Sequence, residues 1–223
     1  MWIPLLTYII SLFLFPLLQH QNLTMQDRYV TKHQLQLATH NVRRYRKLKD
    51  RLNGYKMMGL DLIAIQDANL KANHCERIDC YTLIGGEYVA VAIKNHLVNN
   101  LEFTMITNRV MKISLPGLTV YNSYMETETN HERGTKHWEA LAMDITQEAQ
   151  WGCWNIVVTG DFNAHLNPKA LRDEVERIYE LQTNENGKEL LYVISGNSFE
   201  VCNFEGEHPR AEDVKPTWFG PNQ

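Results

Sequence analysis

Asp161 and Asn163 are the residues whose types and spacing point most directly to chemistry. They lie two positions apart in the stretch Ile156-Val157-Val158-Thr159-Gly160-Asp161-Phe162-Asn163-Ala164-His165. An extended backbone aims residues i and i+2 to the same side, so a carboxylate and an amide converge there. The carboxylate can orient or deprotonate a water, and the amide can hydrogen-bond an oxygen on which charge builds up. That pair suits an attacked phosphate. An Asx-type turn capping a strand would use the same two residue types, so the pair needs support from the rest of the chain. What positions it is the run before it. Ile156 to Thr159 is β-branched throughout and reads as a buried strand. Gly160 then permits a tight turn.

Three more strand ends carry polar groups. Gln34 to Asn41 reads as a first strand ending at Asn41, and Leu62 to Ile65 as a second that runs into Gln66-Asp67. Leu118 to Tyr124 is a later strand that ends on Tyr124. Each residue has an ordinary use: Asn41 as a helix cap, Asp67 as a turn residue, Tyr124 as a half-buried core tyrosine.

The remaining elements follow from periodicity. Val42, Tyr45, Leu48 and Leu52 fall at helical spacing, so Val42 to Met58 reads as a helix. Its other face, with Arg43, Arg44, Arg46, Lys47, Lys49 and Arg51, reads as a solvated face. Tyr81 to Ile84 and Tyr88 to Ile93 form a hairpin about Gly85-Gly86. Leu101 to Thr107, Val110 to Leu115 and Leu118 to Tyr124 continue the strands, with Pro116-Gly117 as a turn. Lys136 to Gln150 is amphipathic, with Trp138, Leu141, Ala142, Ile145 and Ala149 on one face. Lys188 to Ile194 reads as a short helix capped at Ser195-Gly196, and Phe199 to Cys202 as a strand. Hairpins with inserted helices imply mixed sheets packed face to face under a cover of helices.

Composition narrows the field. The chain has 223 residues, enough for one sizeable domain. Its net charge of −4 lacks the global basic footprint of a nucleic-acid binder, so any such contact must come from a local patch. Cys75, Cys80, Cys153 and Cys202 match no zinc spacing and read as free thiols. Residues 2–18 are almost wholly apolar, and the first charged side chain is Asp27. A secretory signal or membrane anchor would look like this, but no Lys or Arg precedes the run, and Pro4 and Pro16 interrupt it. The expectation is an N-terminal segment at 1–33, signal-like or foreign to the domain, with any membrane contact confined to residues 1–25. The domain itself is expected over 34–223.

Taken in order, six stretches resemble the endonuclease/exonuclease/phosphatase superfamily, and most closely the apurinic-type endonuclease domain of non-LTR (LINE-like) retrotransposons. Thr39-His40-Asn41-Val42-Arg43 resembles the opening Asn-Val-Arg motif. Asp61 to Asp67 resembles the Gln-Glu motif, with Asp67 in place of Glu. Tyr88 to Ile93 resembles the Gly-Val-Ala-Ile strand without its glycine, and Val120 to Met125 the Tyr-Ala-Pro strand end without its proline. Gly160 to Ala164 matches the Gly-Asp-Phe-Asn-Ala motif in full. Lys215-Pro216-Thr217-Trp218 resembles the Thr-Trp strand.

The resemblance implies a four-layer α/β sandwich, two mixed β-sheets face to face and flanked by helices, and metal-assisted phosphodiester hydrolysis. Carried over by position, Asp67 with Asn41 would bind Mg²⁺, or Mn²⁺ in its place. Asp161 would activate water or serve the leaving group, Asn163 would bind a phosphate oxygen or orient a catalytic histidine, and Tyr124 would hydrogen-bond the phosphate. Thr217 would shape the site from behind. The implied partner is duplex DNA, with a reverse transcriptase domain in the full element, in the nucleus or cytoplasm. The family's closing Asp and Ser-Asp-His strands have no counterpart after Trp218, so the fold is expected to be incomplete at its C-terminus, and the copy weakly active or inactive. His165 is a loop neighbour and does not replace the family histidine. The rival expectations are a secreted or membrane-linked phosphodiesterase of the same superfamily, and a non-enzymatic fragment.

Overall fold

The apolar runs and amphipathic stretches assemble into four layers. The computed structural model describes residues 12–13, 35–43, 45–127, 131–152, 155–164, 183–197 and 199–201. One sheet contains β2 (Leu37–Asn41), β3 (Leu62–Gln66), β4 (His74–Ile78), β5 (Tyr81–Gly85) and β6 (Val89–Lys94), in the order β2-β3-β6-β5-β4. The other contains β1 (Leu12–Phe13), β7 (Glu102–Thr107), β8 (Val110–Leu115), β9 (Leu118–Tyr124), β10 (Ile156–Asp161) and β11 (Glu200–Val201), in the order β11-β1-β10-β9-β8-β7. Among the described residues the α-helices are α1 (Tyr45–Met57), α2 (His131–Gln150) and α3 (Glu185–Asn197).

The two-residue side-chain period of a strand sorts the core into three slabs. Ile63 and Ile65 of β3 point to α1, where they meet Leu48, Leu52 and Tyr55. Leu62 points the other way and packs with Met111, Ile113, Val120 and Val157 between the sheets. Tyr121 of β9 faces the remaining helices, with Trp138, Leu141 and Ile145 of α2 and Leu190 and Val193 of α3. Central strands covered on both faces carry apolar residues at consecutive positions, which is why Leu62 to Ile65 of β3 and Val89 to Ile93 of β6 read as unbroken runs. Each such aliphatic side chain contributes about 1.5–3 kcal/mol through burial. The helix–sheet–sheet–helix sandwich is the architecture expected from the sequence.

Several boundaries differ. Val42 is not helical: its N–H donates to the Gln66 carbonyl at 3.0 Å, and α1 starts at Tyr45. Helix α2 starts earlier than Lys136, at His131. Helix α3 starts at Glu185 and runs through Gly196 to Asn197. Strand β4 is not among the strands expected from sequence, because His74-Cys75-Glu76-Arg77 has no apolar run. Among the described residues it pairs with β5 alone, at the sheet edge, where charged side chains discourage further pairing. Leu12–Phe13 lies within the segment expected to stand apart. It pairs antiparallel with Val157–Val158 on one side and with Glu200–Val201 on the other. Among the described residues no helix is long and apolar enough to cross a membrane.

Polar groups also tie helices to sheets. Lys112 of β8 bonds Asp144 and Glu148 of α2, both at 2.9 Å, and the Tyr121 hydroxyl donates to Asp144 at 2.7 Å. Arg51 departs from the solvated face expected of α1 and turns in to His40 Nε2, while His40 Nδ1 meets the Tyr55 hydroxyl. Arginine can only donate, so Nε2 accepts and Nδ1 carries the proton. Burial, reinforced by the Arg51 charge, lowers the His40 pKa from 6.5 to about 4.

That shift has a signed consequence. Above pH 6.5 His40 is neutral both folded and unfolded. Between pH 6.5 and about 4 the unfolded chain takes up a proton that the folded chain refuses, so stability falls as pH falls through that window. Urea midpoints should show it: the advantage of the native chain over His40→Gln should be largest at pH 7 and shrink towards pH 5. A pH-independent difference would show that His40 is not held neutral.

Candidate active site

Parallel pairing brings the polar strand ends to one edge. Strands β2 and β3 run parallel with Asn41 opposite Gln66, and β9 and β10 run parallel with Asp161 opposite Tyr124. The two pairs belong to different sheets, and a hydrogen bond joins their ends: Asn41 Nδ2 donates to Asp161 Oδ2 at 2.7 Å. Asn41 Oδ1 accepts from the Arg43 N–H at 3.2 Å, which fixes the amide's orientation. Asn41 and Asp161, singled out 120 residues apart in sequence, are therefore direct partners.

Asp161 forms the Asx turn that its spacing to Asn163 suggested. Its Oδ1 accepts from the Asn163 N–H at 3.2 Å, and Asn163 sits at φ 47°. Asparagine is among the side chains that tolerate this left-handed region. Asn163 Nδ2 donates to the Met125 carbonyl at 2.8 Å, and the Met125 N–H donates to the Asp161 carbonyl at 2.9 Å. The turn and the site reading thus coexist in the same residues. Gly160 is required for a steric reason as well: a Cβ there would lie 1.9 Å from the Ser123 carbonyl oxygen, and φ is 149°.

Asp67 follows β3 with φ 52°, and its N–H donates to the Tyr88 carbonyl at 2.8 Å. Tyr124 is half-buried. Burial raises its pKa, and the Asp67 and Asp161 carboxylates raise it further, against the opposing charges of Arg109 and Arg43. The phenol therefore stays protonated, and both acids act on the same spot. Thr217 and His165 lie outside the described residues.

Some participants were not legible as such. The Arg109 guanidinium lies 3.9 Å from the centroid of the Tyr88 ring and 5.3 Å from that of Tyr124. It donates to the Tyr124 carbonyl at 3.1 Å and pairs with Glu126 at 3.2 Å. In sequence it is one arginine in a hairpin turn, with no signal. Asn122 does have a signal, being a poor strand former inside an apolar strand. It is fully buried, accepts from Gln66 Nε2 at 2.7 Å, and donates to the carbonyls of Ile65 and Ala90 at 3.0 and 2.8 Å.

The donor set has the chemistry of a hard-cation site. No group of three or more His, Cys, Asp or Glu side chains assembles among the described residues. Asp67, Asp161 and Asn41 offer carboxylate and amide oxygens at adjacent strand ends. Mg²⁺ is commonly held by one or two carboxylates with waters and substrate phosphates completing the shell, so these residues fit it. Cys75 and Cys80 are free thiols away from this edge, and Cys153 and Cys202 lie outside the described residues.

No family model and no curated protein matches the sequence. Solved structures do. A Neisseria 3′ phosphatase bound to product DNA hairpin superposes with a TM-score of 0.50 at 15% identity, over 73% of this chain and 71% of that one. An AP endonuclease from Archaeoglobus fulgidus gives a TM-score of 0.50 at 15% identity, over 73% and 70%. The chain has the endonuclease/exonuclease/phosphatase fold. The endonuclease domain of TRAS1, a telomere-specific non-LTR retrotransposon, is similar at a TM-score of 0.49 and 16% identity, over 79% and 76%. At such identities the likeness concerns the fold, and the site has to be argued from this chain's own residues.

The buried amides supply a test of what holds the edge together. Asn122→Leu keeps the branched shape but leaves Gln66 Nε2 and the Ile65 and Ala90 carbonyls without this partner. Each such group costs about 1–3 kcal/mol. The expected outcome is a loss of at least ~3 kcal/mol in urea-unfolding stability, and a change within experimental error would show that the amide is incidental.

Proposed function

We propose that the chain is a metal-dependent phosphodiesterase acting on DNA, an endonuclease of the non-LTR retrotransposon kind, working in an element that also encodes a reverse transcriptase. The observation that carries the reading is the cross-sheet Asn41–Asp161 hydrogen bond, with Asp67 and Tyr124 at the same edge. The order of the six sequence stretches supports the retrotransposon kind, and the DNA-bound phosphatase of the same fold supports DNA as the substrate class.

Each residue then has a task. Asp161 accepts the proton of the attacking water, or orients that water, with Oδ2 held by Asn41 and Oδ1 by the Asn163 N–H. Tyr124 donates its phenolic proton as a hydrogen bond to a non-bridging phosphate oxygen, a role that needs the protonated form its surroundings favour. Asn163 commits one Nδ2 hydrogen to Met125 and has a second for a phosphate oxygen. Asp67, with Asn41 beside it, would hold Mg²⁺, or Mn²⁺ in its place. A bound Mg²⁺ supplies neutralisation of phosphate charge and stabilisation of the leaving oxygen.

Supercoiled plasmid tests the activity. Nicking should require Mg²⁺, stop with EDTA, and fall by about 10²–10³ or more in Asp161→Ala, the scale for removal of one preorganised catalytic group. Nicking that survives Asp161→Ala would remove the proposal's foundation.

Calorimetry tests the metal assignment separately. Asp67→Ala should lose Mg²⁺ affinity. Asp67→Glu should bind more tightly, because the longer arm reaches further, yet melt lower, because φ 52° suits aspartate better than glutamate. Equal affinity in the native chain and Asp67→Ala would sink the assignment.

A further inference from the structure

Asn186 belongs to no motif read from the sequence, yet it is the buried polar side chain on which two site loops meet. It lies in the first turn of α3 and is 2% exposed. Its Nδ2 donates to the Glu126 carbonyl at 2.6 Å and to the Asn163 carbonyl at 3.3 Å. Its Oδ1 accepts from Trp138 Nε1 of α2 at 3.0 Å. Both amide hydrogens and the amide oxygen are thus engaged. Two of the three partners are loop carbonyls: one just after β9 and Tyr124, one just after β10 and Asp161.

The neighbours reinforce the same point. Asn184 caps α3, its Oδ1 accepting from the Gly187 N–H at 2.8 Å, and its Nδ2 donates to the Asn163 carbonyl at 2.9 Å. The Asn163 carbonyl therefore accepts twice from the start of α3. Trp138, besides donating to Asn186, stacks on Phe162 with ring centroids 5.8 Å apart. Asn163 itself holds a left-handed conformation, which persists only where its surroundings over-determine it.

We infer that Asn186 is a positioning residue: it locks Asn163 in its left-handed turn and ties the loop after β10 to the loop after β9, fixing Asn163 and Tyr124 relative to Asp161. The functional part rests on the proposed reading of Asn163 as a site residue; the structural part does not. Asn186 touches no reacting atom. It acts through two carbonyls, and a side chain of the same volume without donors cannot do this.

Amide hydrogen exchange reads the lock directly. The Asn163 N–H is held by Asp161 Oδ1 and the Met125 N–H by the Asp161 carbonyl, so both report on the coupled loops. In Asn186→Leu these two amides should exchange about tenfold or more faster, while Val157 and Val158 in β10 stay as protected as before. Asn186→Asp, which keeps the Trp138 acceptor but loses both donors, should do the same. Trp138→Phe removes the indole donor and part of the ring stacked on Phe162 but keeps both Asn186 donors, so it should leave the two amides protected. Unchanged exchange at Asn163 and Met125 would overturn the inference. So would uniform acceleration across β9 and β10 in both Asn186 variants, which would make Asn186 a residue of the general core. Plasmid nicking adds a second readout: kcat should fall while KM stays within about twofold, the pattern of a displaced catalytic group. A rise in KM alone would count against positioning. If the native chain does not nick DNA, the proposed function fails, and the exchange result still decides the lock.

Discussion

The structure depends on a hydrogen-bonded pair of amides buried between the sheets. Gln66 sits at the end of β3 and Asn122 near the end of β9, and they meet where aliphatic side chains otherwise fill the gap. Gln66 Nε2 also donates to Thr39 Oγ1 at 2.9 Å, so β2, β3, β6 and β9 share one polar cluster. Apolar packing is non-directional and would tolerate a small slide of one sheet over the other. A buried amide does not, because a slip leaves donors and carbonyls unpaired at a cost of about 1–3 kcal/mol each. The cluster converts two greasy faces into one defined register, and the ends of β2, β3, β9 and β10 coincide because of it.

Once the strand ends coincide, the chemistry needs loops that turn sharply without wandering. Asp67 and Asn163 both lie at positive φ, immediately beyond their strands. The short polar side chains that tolerate this geometry are the same ones that ligate cations and bind phosphate oxygens. Turn chemistry and site chemistry therefore make the same demand on sequence. This explains why Asp161-Phe162-Asn163 could be read either as a capping turn or as a site: it is built as the first and placed as the second.

That double demand also explains what was legible. Strand interiors such as Leu62 to Ile65 and Ile156 to Thr159 are recorded in local composition, and so are Asn41, Asp67, Tyr124 and Asp161 at their ends. Roles that arise only from tertiary contact are not. Arg109 lies over rings contributed by Tyr88 and Tyr124, and Asn186 meets carbonyls 23 and 60 residues away. No local pattern encodes either distance. Strand β4 escaped because an edge strand is made polar to stay unpaired. Leu12–Phe13 escaped because an apolar run of that length reads as a signal or anchor before it reads as part of a sheet.

Charge decides how such a site can accept a phosphate. Around Tyr124 the described residues place the carboxylates of Asp67, Asp161 and Glu126 against the guanidiniums of Arg43 and Arg109. Glu126 already pairs with Arg109, so that cation is largely offset before any substrate arrives. Arg43 is exposed, and water screens it. Asp67 and Asp161 both bring negative charge to bear on the Tyr124 phenol, and both raise its pKa. A phosphodiester brought to this edge alone would meet repulsion from both acids. Asp67 and Asp161 would hold a divalent cation there, which would supply the positive charge that offsets this repulsion, and the Tyr124 and Asn163 donors would bind the phosphate oxygens. The two acids at the strand ends thus favour a bound cation on grounds separate from the motif order.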